Sequence, residues 1–459
     1  MISNEPETIR TGEPPVVVIG GGLTGMAVAM MLARRDVPVI LVEQDSRDAF
    51  GRTDKYPPLR LGAAHANRPH SLRAGGRDIL RRSLPQVARA VYALGARDAV
   101  EWPGSPDAEH LTVLVLRRSL LERALLSCAG DLPTLSLRFG ERVLDLEITN
   151  GRRPRVSGVV TTAASLPAQL VIDASGIRSK VLGRFGPPRV SLRSRLYYTS
   201  QPFQLTGQGF ANAQGAAAVW IKPPSEAVAH VRLFFHDQPY ASVLVALHAR
   251  NQLPPSRELV RETYQAILSR SGLRQYFGGA LPLSPVQTIG FLRSRLGLLD
   301  AQPQAAADGI HQIGDALMAI NPLTSKGVAL GLIQAEILAN AIAPDITNYD
   351  IQRDALMRAY REWIVPHWAD GLLRGSYIGP SDDLPPEIGE YVDVARRRGR
   401  KAHGIIATAL RSAAADQDQA ELVARISQLQ VPASAIDALP HTGAGMARAR
   451  TIRASRVKP

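Results

Sequence analysis

The sequence predicts an α/β protein: a Rossmann-like, three-layer nucleotide-binding domain with an inserted antiparallel β-sheet domain and a helical C-terminal region. Three observations support this fold class. An apolar strand near the start of the chain leads into a glycine-rich turn, a helix and a second strand. The central part of the chain is rich in short β-type runs joined by short links, and the C-terminal part is mostly helical with proline-rich breaks.

The first unit is a strand, a turn, a helix and a strand. The β-branched run Val16–Ile19 is typical of a strand that is buried on both faces. It leads into Gly20-Gly21-Gly22-Leu23-Thr24-Gly25 and then into a stretch rich in Ala, Met and Leu, which favours a helix. A second apolar strand, Val39–Val42, follows, so this segment has the composition of one βαβ unit.

The turn matches the G-x-G-x-x-G fingerprint of dinucleotide-binding proteins, and its structural context is the expected one. Gly20 allows the tight turn, Gly22 leaves room for a pyrophosphate, and Gly25 lets the helix pack close to the strand. The start of the helix, with Leu23 and Thr24, offers N–H groups and a positive dipole end to phosphate oxygens. We therefore assign these five residues to a cofactor site.

An acidic residue ends the second strand of the unit. Glu43 follows the first glycine by the usual interval, and its carboxylate can accept hydrogen bonds from ribose hydroxyls. We assign Glu43 and its neighbour Gln44 to the same site. A carboxylate here disfavours a 2′-phosphate, so FAD or NAD fits better than NADP.

The predicted domain boundaries follow the changes in secondary-structure pattern along the chain. They are 14–185 and 285–345 for a discontinuous nucleotide-binding domain, 186–284 for a substrate-binding β-sheet domain, 346–441 for a helical region, and 442–459 for a basic, disordered tail. Within these limits we expect helical structure from Ser71 to Leu94 with a break at Pro85, and one helix over Arg257–Ser271.

Composition and charge exclude several classes of protein. The 459 residues carry a formal net charge of +13, which permits binding of anions, but aromatic residues are only 5% and argue against a stacking platform for nucleic acid. The single cysteine, Cys128, excludes an internal disulfide framework and a Cys-rich zinc site. We expect no metal and no nucleic-acid partner.

No targeting signal is recognisable at the start of the chain. The most apolar helical stretches are either too short to span a bilayer or interrupted by polar residues such as Gln334 and Glu336. We therefore expect a cytoplasmic protein without a membrane span.

Three further segments resemble the FAD-dependent monooxygenase superfamily, which includes aromatic hydroxylases, squalene-type epoxidases and flavin-dependent halogenases. The segments are Asp173-Ala174-Ser175-Gly176, Gly314-Asp315 followed by Pro322 and Gly327, and Arg118-Ser119-Leu120-Leu121-Glu122. The resemblance implies that the cofactor is FAD and that the reaction uses O₂.

The resemblance also implies roles for single residues. Asp173 is expected near the flavin pyrophosphate, and Arg118 is expected to approach the FAD. Asp315, after Gly314, is expected to accept hydrogen bonds from the ribityl hydroxyls. Gly327 starts a long helix whose N–H groups would face the O2/N1 edge of the flavin ring.

Adenine binding and catalysis are assigned less directly. The resemblance places the backbone of Val143 against the adenine. His70 lies in a segment similar to a His-containing segment of the epoxidase and hydroxylase branch, and Pro322 would lie beside the flavin ring. His70 and Pro322 are therefore the catalytic candidates.

The substrate is expected between the flavin and the sheet of the second domain. The strands of that sheet carry the aromatic residues Tyr197, Tyr198, Trp220, Phe234 and Phe235. We take Tyr198, Trp220 and Phe234 as the substrate-contacting candidates.

The electron donor is left open by the sequence. The chain has no second dinucleotide fingerprint, since Gly207-Gln208-Gly209 has only two of the glycines and is expected to be a loop. Reducing equivalents must therefore come from transiently bound NAD(P)H or from a separate flavin reductase.

We expect an FAD-dependent monooxygenase that uses reduced flavin and O₂ to hydroxylate or epoxidise an organic small molecule, as in secondary metabolism. A halogenase is an alternative, although its W-x-W-x-I-P signature is absent and the nearest stretch is Trp220-Ile221-Lys222-Pro223. An FAD-dependent C–C dehydrogenase or reductase would use the same cofactor site. A non-catalytic binding protein with this fold is a further hypothesis.

Overall fold

The architecture is that of a computed structural model, which describes residues 12–50, 68–100, 109, 111–179, 190–213, 218–236, 239–248, 255–290, 293–297, 307–374, 386–411 and 417–439. The strands, in chain order, are β1 (Val16–Ile19), β2 (Val39–Glu43), β3 (Pro69–Leu72), β4 (Arg97–Val100), β5 (Thr112–Arg117), β6 (Leu135–Phe139), β7 (Val143–Thr149), β8 (Arg155–Thr161), β9 (Ser165–Pro167), β10 (Leu170–Asp173), β11 (Val190–Arg193), β12 (Leu196–Gln204), β13 (Ala218–Ile221), β14 (Val228–Phe234), β15 (Tyr240–His248), β16 (Leu281–Pro282), β17 (Gln287–Ile289), β18 (Arg293–Leu296), β19 (Ile310–Gln312) and β20 (Met318–Ala319).

The helices connect these strands and form most of the C-terminal part. They are α1 (Leu23–Ala33), α2 (Ala74–Ser83), α3 (Pro85–Ala93), α4 (Arg118–Ala129), α5 (Gly207–Asn212), α6 (Arg257–Leu268), α7 (Ser271–Phe277), α8 (Gly327–Ile342), α9 (Tyr349–Ala359), α10 (Val365–Arg374), α11 (Pro386–Arg411) and α12 (Gln417–Ser427). No described helix is both long enough and apolar enough to cross a membrane.

A parallel sheet with the strand order β19-β10-β1-β2-β6 forms the middle layer of the first domain. Strand β1 is central, and its side chains alternate between two cores. Val16 and Val18 pack with α1 and α8 on one face. Val17 and Ile19 pack against the antiparallel strands β7, β8 and β9 on the other face. The expected three-layer α/β architecture is confirmed, and burial on both faces explains the uninterrupted apolar run.

A six-stranded antiparallel sheet with the order β13-β14-β15-β12-β16, to which β17 adds through β12, forms the second domain. Its outer face packs against α6 and α7 in a separate core that contains Leu233, Phe235 and Tyr264. The other face turns towards the first domain. A small sheet, β3-β5-β4, contacts it there, since Val113 and Val115 pack against Phe234.

The C-terminal helices close back onto the first domain. The turn after α12 meets the start of α2, where the N–H of Gly75 donates to the carbonyl of Gln428 over 2.9 Å. A Cβ atom on Gly75 would lie 2.0 Å from the carbonyl oxygen of Leu429, so the two segments touch backbone to backbone. This contact makes glycine at position 75 a packing requirement.

Three local predictions are wrong. Residues Pro69–Leu72 form a strand paired with β5, so helical structure begins at Ala74 and not at Ser71. The Gly207 segment forms the short helix α5, because a left-handed Gly207 starts it and it packs on α7. The single helix expected over Arg257–Ser271 is two helices, α6 and α7. The predicted tail, 442–459, lies outside the described residues.

Candidate functional site

The β1–α1 turn explains why three glycines occur at these positions. Gly20 has φ +98°, and a Cβ atom there would lie 2.7 Å from the carbonyl oxygen of Ala174. A Cβ atom on Gly25 would lie 1.9 Å from the carbonyl oxygen of Gly20. Gly22 is different, because there is open space beside it. A Cβ atom on Gly22 would have no neighbouring atom closer than Nη2 of Arg118, at 3.9 Å. Gly20 and Gly25 are therefore required by the fold. Gly20 also lines a cavity, and Gly22 leaves room in it.

The N-terminus of α1 faces this cavity. Gly22 is the N-cap residue, no described side chain caps the helix, and its first turn has no acidic residue. Leu23 and Thr24 line the cavity beside it. The exposed N–H groups and the positive end of the helix dipole suit a phosphate oxygen.

Arg118 adds a positive charge at the same place. It lines the cavity at the start of α4, and its Nε donates to Oε1 of the buried Glu122 over 2.9 Å. The i,i+4 ion pair orients the guanidinium, whose Nη2 lies towards Gly22. A diphosphate between Gly22 and Arg118 would contact both a helix N-terminus and a cation.

Glu43 is held by the backbone on both sides of it. Its Oε2 accepts from the N–H of Gly21 over 2.6 Å, and its Oε1 accepts from the N–H of Asp45 over 2.8 Å. Glu43 and Gln44 both line the cavity, together with Val143 at the start of β7. Each carboxylate oxygen has a second lone pair, so the fixed carboxylate can still accept from ribose hydroxyls.

Asp315 lies in a 3₁₀ turn, Gly314–Ala316, and its side chain reaches into the cavity. The surrounding protein raises the pKa of its carboxyl by desolvation, and Arg118 opposes this shift. Gly314, with φ +63°, packs against Thr24 and lies behind the wall. A carboxylate in this position can pair with the hydroxyls of a polyol chain.

Asp173 lies beneath the cavity wall and not in it. It is fully buried, and its two oxygens accept hydrogen bonds from Ser175, Ser179 and Gln312. These bonds shape the turn, whose residues 174–178 do line the cavity. Asp173 therefore positions a cofactor-facing loop, whereas the sequence predicted it close to the cofactor itself. Gly25 likewise supports the site without lining it.

The segment that joins β20 to α8 forms the floor of the cavity. Asn321, Pro322, Ser325 and Gly327 line it, and Ser325 has a left-handed backbone with φ +52°. Gly327 starts α8, so N–H groups of a second helix N-terminus face the cavity. Pro322 and Gly327, which are expected beside the flavin ring from the sequence, both line the cavity.

Several side chains that were not predicted from the sequence hold this segment in place. The guanidinium of Arg73 donates from Nη2 to the carbonyl of Thr324 over 2.7 Å. The buried Lys326 points away from the cavity, and its Nζ donates to Oδ2 of Asp370 over 3.1 Å. Tyr198 donates from its hydroxyl to Oδ1 of Asn321. These partners are distant in sequence, so no local pattern could have indicated them.

The six-stranded sheet forms most of the opposite wall of the cavity, through the lining residues of β12, β14, β15 and β17. Strand β18, of the small sheet β11-β18-β20, and Arg68, whose Nη1 donates to Oγ of Ser200 over 2.9 Å, complete this wall, which we call the sheet side. Strand β14 contributes His230, Arg232 and Phe234, because alternate side chains of a strand face the same way.

The aromatic substrate candidates divide between the two faces of this sheet. Tyr198 and Phe234 line the cavity. Tyr197 and Phe235 point to the other face and pack in the second core, as the alternation along a strand requires. The backbone of Trp220 pairs with Arg232 in β13, and its side chain lies outside what the structure describes.

His70 lines the cavity from strand β3. Its Nδ1 lies 2.9 Å from the carbonyl oxygen of Arg68, so Nδ1 carries the proton and Nε2 is an acceptor. Burial, aided by Arg118, lowers the pKa of His70 to about 4. The imidazole is therefore neutral at neutral pH and acts as a hydrogen-bonding group there.

His230 and Arg232 are the main cavity residues that were not predicted from the sequence. They alternate with Phe234 in Val228-Ala229-His230-Val231-Arg232-Leu233-Phe234, a polar and apolar alternation that could have indicated them. Burial, with a smaller effect of Arg232, lowers the pKa of His230 to about 4.

All these walls enclose one cavity of about 1040 Å³. Sites for a single small ligand measure roughly 300–1,000 Å³, so this volume suits a large dinucleotide together with a substrate. The glycine turn, the two helix N-termini, the carboxylates and Arg118 match the polar groups of FAD along one side. Among the described residues, no group of three or more His, Cys, Asp or Glu could hold a metal ion.

Comparison with known proteins agrees with this geometry. Residues 13–200 match the family model described as FAD binding domain. The ubiquinone hydroxylase UbiL of Rhodospirillum rubrum is 23% identical over 403 residues, which cover 84% of each chain. The structure of PqsL from Pseudomonas aeruginosa has a TM-score of 0.59 at 18% identity and covers 84% of this chain and 99% of PqsL. The myxobacterial halogenase CndH has a TM-score of 0.56 at 16% identity over 83% of this chain and 96% of its own. The cofactor of this protein is FAD.

Proposed function

We propose that this chain, an FAD-dependent oxidoreductase of the monooxygenase superfamily, uses reduced FAD and O₂ to hydroxylate or epoxidise an organic small molecule. One observation carries the proposal. The floor segment with Asn321 and Pro322 borders both the nucleotide-binding walls and the sheet side of a single continuous cavity. A substrate on the sheet side would therefore adjoin the ring-binding end of the cofactor site.

The residues of the chain would divide the work of binding. Gly22 and Arg118 would hold the diphosphate, Glu43 the ribose and Asp315 the ribityl chain. The N–H groups at the start of α8, at Gly327, would stabilise negative charge on the ring edge. Bound FAD, once reduced, supplies the electrons that activate O₂ for transfer of one oxygen atom.

The sheet side would orient the substrate and exclude water. Phe234 and Leu244 are apolar lining residues there, and Tyr198 fixes Asn321 through its hydroxyl. Exclusion of water protects a reactive oxygen species from unproductive decay. We propose residues 186–284 as the substrate-binding domain for this reason.

Absorption spectroscopy of the purified protein, followed by reduction and oxygen assays, tests the proposal. We expect the visible bands of bound oxidised flavin. Bleaching by NADH or NADPH alone would identify a self-sufficient enzyme, and bleaching only with a flavin reductase would identify a two-component one. Incorporation of one atom of isotopically labelled O₂ into product is the expected outcome. Reduction of an alkene without incorporation of oxygen would contradict it.

A halogenase is the second candidate, because Ser325-Lys326-Gly327 resembles the Ser-x-Gly form of flavin-dependent halogenases. No lysine occurs among the described residues that line the cavity, and Lys55 lies outside the described part of the chain. Addition of chloride or bromide to the same assay separates the two candidates. A halogenated product would favour the halogenase.

A further inference from the structure

The sheet side of the cavity contains a buried arginine in the middle of a strand. Strand β14 lies between β13 and β15, inside the six-stranded sheet. Arg232 faces the cavity and is 2% exposed, while Val231 and Leu233 on either side of it point into the second core. A guanidinium buried in such a wall has a high desolvation cost, which an anionic ligand can offset.

The charges that line the cavity are unevenly distributed. On the nucleotide-binding side, the lining residues include four acids and three arginines: Glu43, Glu141, Asp145, Asp315, Arg118, Arg142 and Arg178. The described lining residues of the sheet side include Arg68, Arg232 and Arg293 and no Asp or Glu. Walls of low dielectric constant strengthen the field of these cations within the cavity, so the sheet side attracts anions.

The geometry of Arg232 suits recognition of a carboxylate. Its Cζ lies 4.7 Å from the centroid of the Phe234 ring, so the guanidinium stacks on an aromatic face. Contact with the ring restricts the position of the guanidinium, whose N–H groups lie at the edge of its plane. An arginine has five such donors, arranged to bind a carboxylate through two parallel hydrogen bonds.

His230 precedes Arg232 on the same face and complements it. Because its pKa is lowered to about 4, the imidazole is neutral at neutral pH. It therefore offers a hydrogen bond beside the guanidinium without adding a second titrating charge. The positive charge of β14 at this wall is that of Arg232.

We infer that the substrate is an organic acid with an aromatic or conjugated framework, and that Arg232 binds its carboxylate on the sheet side of the cavity. This inference rests on the proposed function, because it names the class of molecule that the monooxygenase would oxidise. It assigns Arg232 to substrate specificity, with Phe234 holding the guanidinium in the orientation that binds the acid.

Matched pairs of acids and neutral amides test the inference with the FAD-loaded protein. The probes are benzoate and benzamide, cinnamate and cinnamamide, and 2-naphthoate and 2-naphthamide. Binding is measured by calorimetry and by the change in the visible flavin spectrum. We expect at least one acid to bind about tenfold or more tightly than its amide. Equal affinity within every pair, or no acid bound at millimolar concentration, would overturn the inference.

Substitutions identify the residue responsible. We expect Arg232→Gln to abolish the preference for the acid and Arg232→Lys to retain part of it, since lysine keeps the charge without the planar fork. Arg257→Gln, which removes one exposed charge on α6, is the matched control and should keep the full preference. A preference that survives in Arg232→Gln would show that another group binds the acid. If Arg232→Gln does not fold, the acid and amide comparison in the wild-type protein still decides the matter.

Failure of this inference and failure of the proposed function give different results. Flavin content, reduction by NAD(P)H and incorporation of labelled oxygen report on the proposed function. The affinity ratio between acid and amide reports only on the charge recognised by the sheet side. An enzyme that oxygenates a neutral molecule would pass the first test and fail the second.

Discussion

The backbone N–H of Gly21 donates a hydrogen bond to Oε2 of Glu43 over 2.6 Å, across the gap between the first turn and the end of the second strand. The same carboxylate accepts from the N–H of Asp45 through its other oxygen. Glu43 thus connects the glycine turn to the loop after β2. The carboxylate therefore has a structural role at this end of the sheet.

We expect Glu43→Gln to weaken FAD binding about tenfold or more. The amide has one acceptor oxygen, so its NH₂ group must face the N–H of either Gly21 or Asp45, which costs about 1–3 kcal/mol. Titration of the apoprotein with FAD, followed by flavin fluorescence, measures the dissociation constant. Glu226→Gln, at an exposed carboxylate, should leave the constant unchanged. An unaltered affinity in Glu43→Gln would contradict this role.

Two glycines of the turn should respond differently to a side chain. We expect Gly22→Val to fold and to purify without flavin, because its side chain would point into the cavity beside Arg118. We expect Gly25→Ala to lose about 2–3 kcal/mol of stability, because its Cβ meets the carbonyl oxygen of Gly20. Flavin content and urea unfolding separate the two effects. Full flavin content in Gly22→Val would refute the placement of the diphosphate.

The ion pair of Lys326 and Asp370 should stabilise the floor of the cavity. Their side chains are 7% and 22% exposed, so the pair is partly screened by solvent. We expect Lys326→Met to lower the free energy of unfolding by about 1–3 kcal/mol, because it removes the ammonium from a largely buried carboxylate. The double variant Lys326→Met/Asp370→Asn should recover part of this loss. Strictly additive effects in the double-mutant cycle would show that the two residues are not coupled.

His311 should make the stability of the protein depend on pH. Its Nε2 donates to Oε1 of Gln352 over 2.9 Å, and burial lowers the pKa of His311 to about 4 from its usual value of 6.5. Between these values the unfolded chain binds a proton that the folded protein does not. Stability is therefore full above about pH 6.5 and decreases towards pH 4, by up to about 1.4 kcal/mol per pH unit for this residue.

Urea unfolding at a series of pH values between about 4 and 7 measures this contribution. We expect His311→Phe to show a smaller loss of stability on acidification than the wild-type protein. His248→Gln, at an exposed histidine, is the control and should follow the wild-type curve. Identical pH dependence in His311→Phe and the wild type would exclude His311 as a source.

The sequence by itself determined the first βαβ unit and many of the residues that line one side of the cavity. Gly25 and Glu43 are positioned by contacts within one unit, and a fingerprint of local spacing reports such contacts. The same is true of the turn at Asp315, which comes soon after the end of β19. Local chain geometry is sufficient where a strand end or a helix start creates the site.

Only the tertiary structure decided which residues face the sheet side and what holds the floor of the cavity. Arg232 lines the cavity and Phe235 does not because the sheet packs its other face on α6 and α7. Asp173 lies behind the wall because Ser175, Ser179 and Gln312 take its oxygens. The alternation of side chains along a strand defines two faces, but it does not say which face packs against which partner. Packing between segments far apart in the chain decides this.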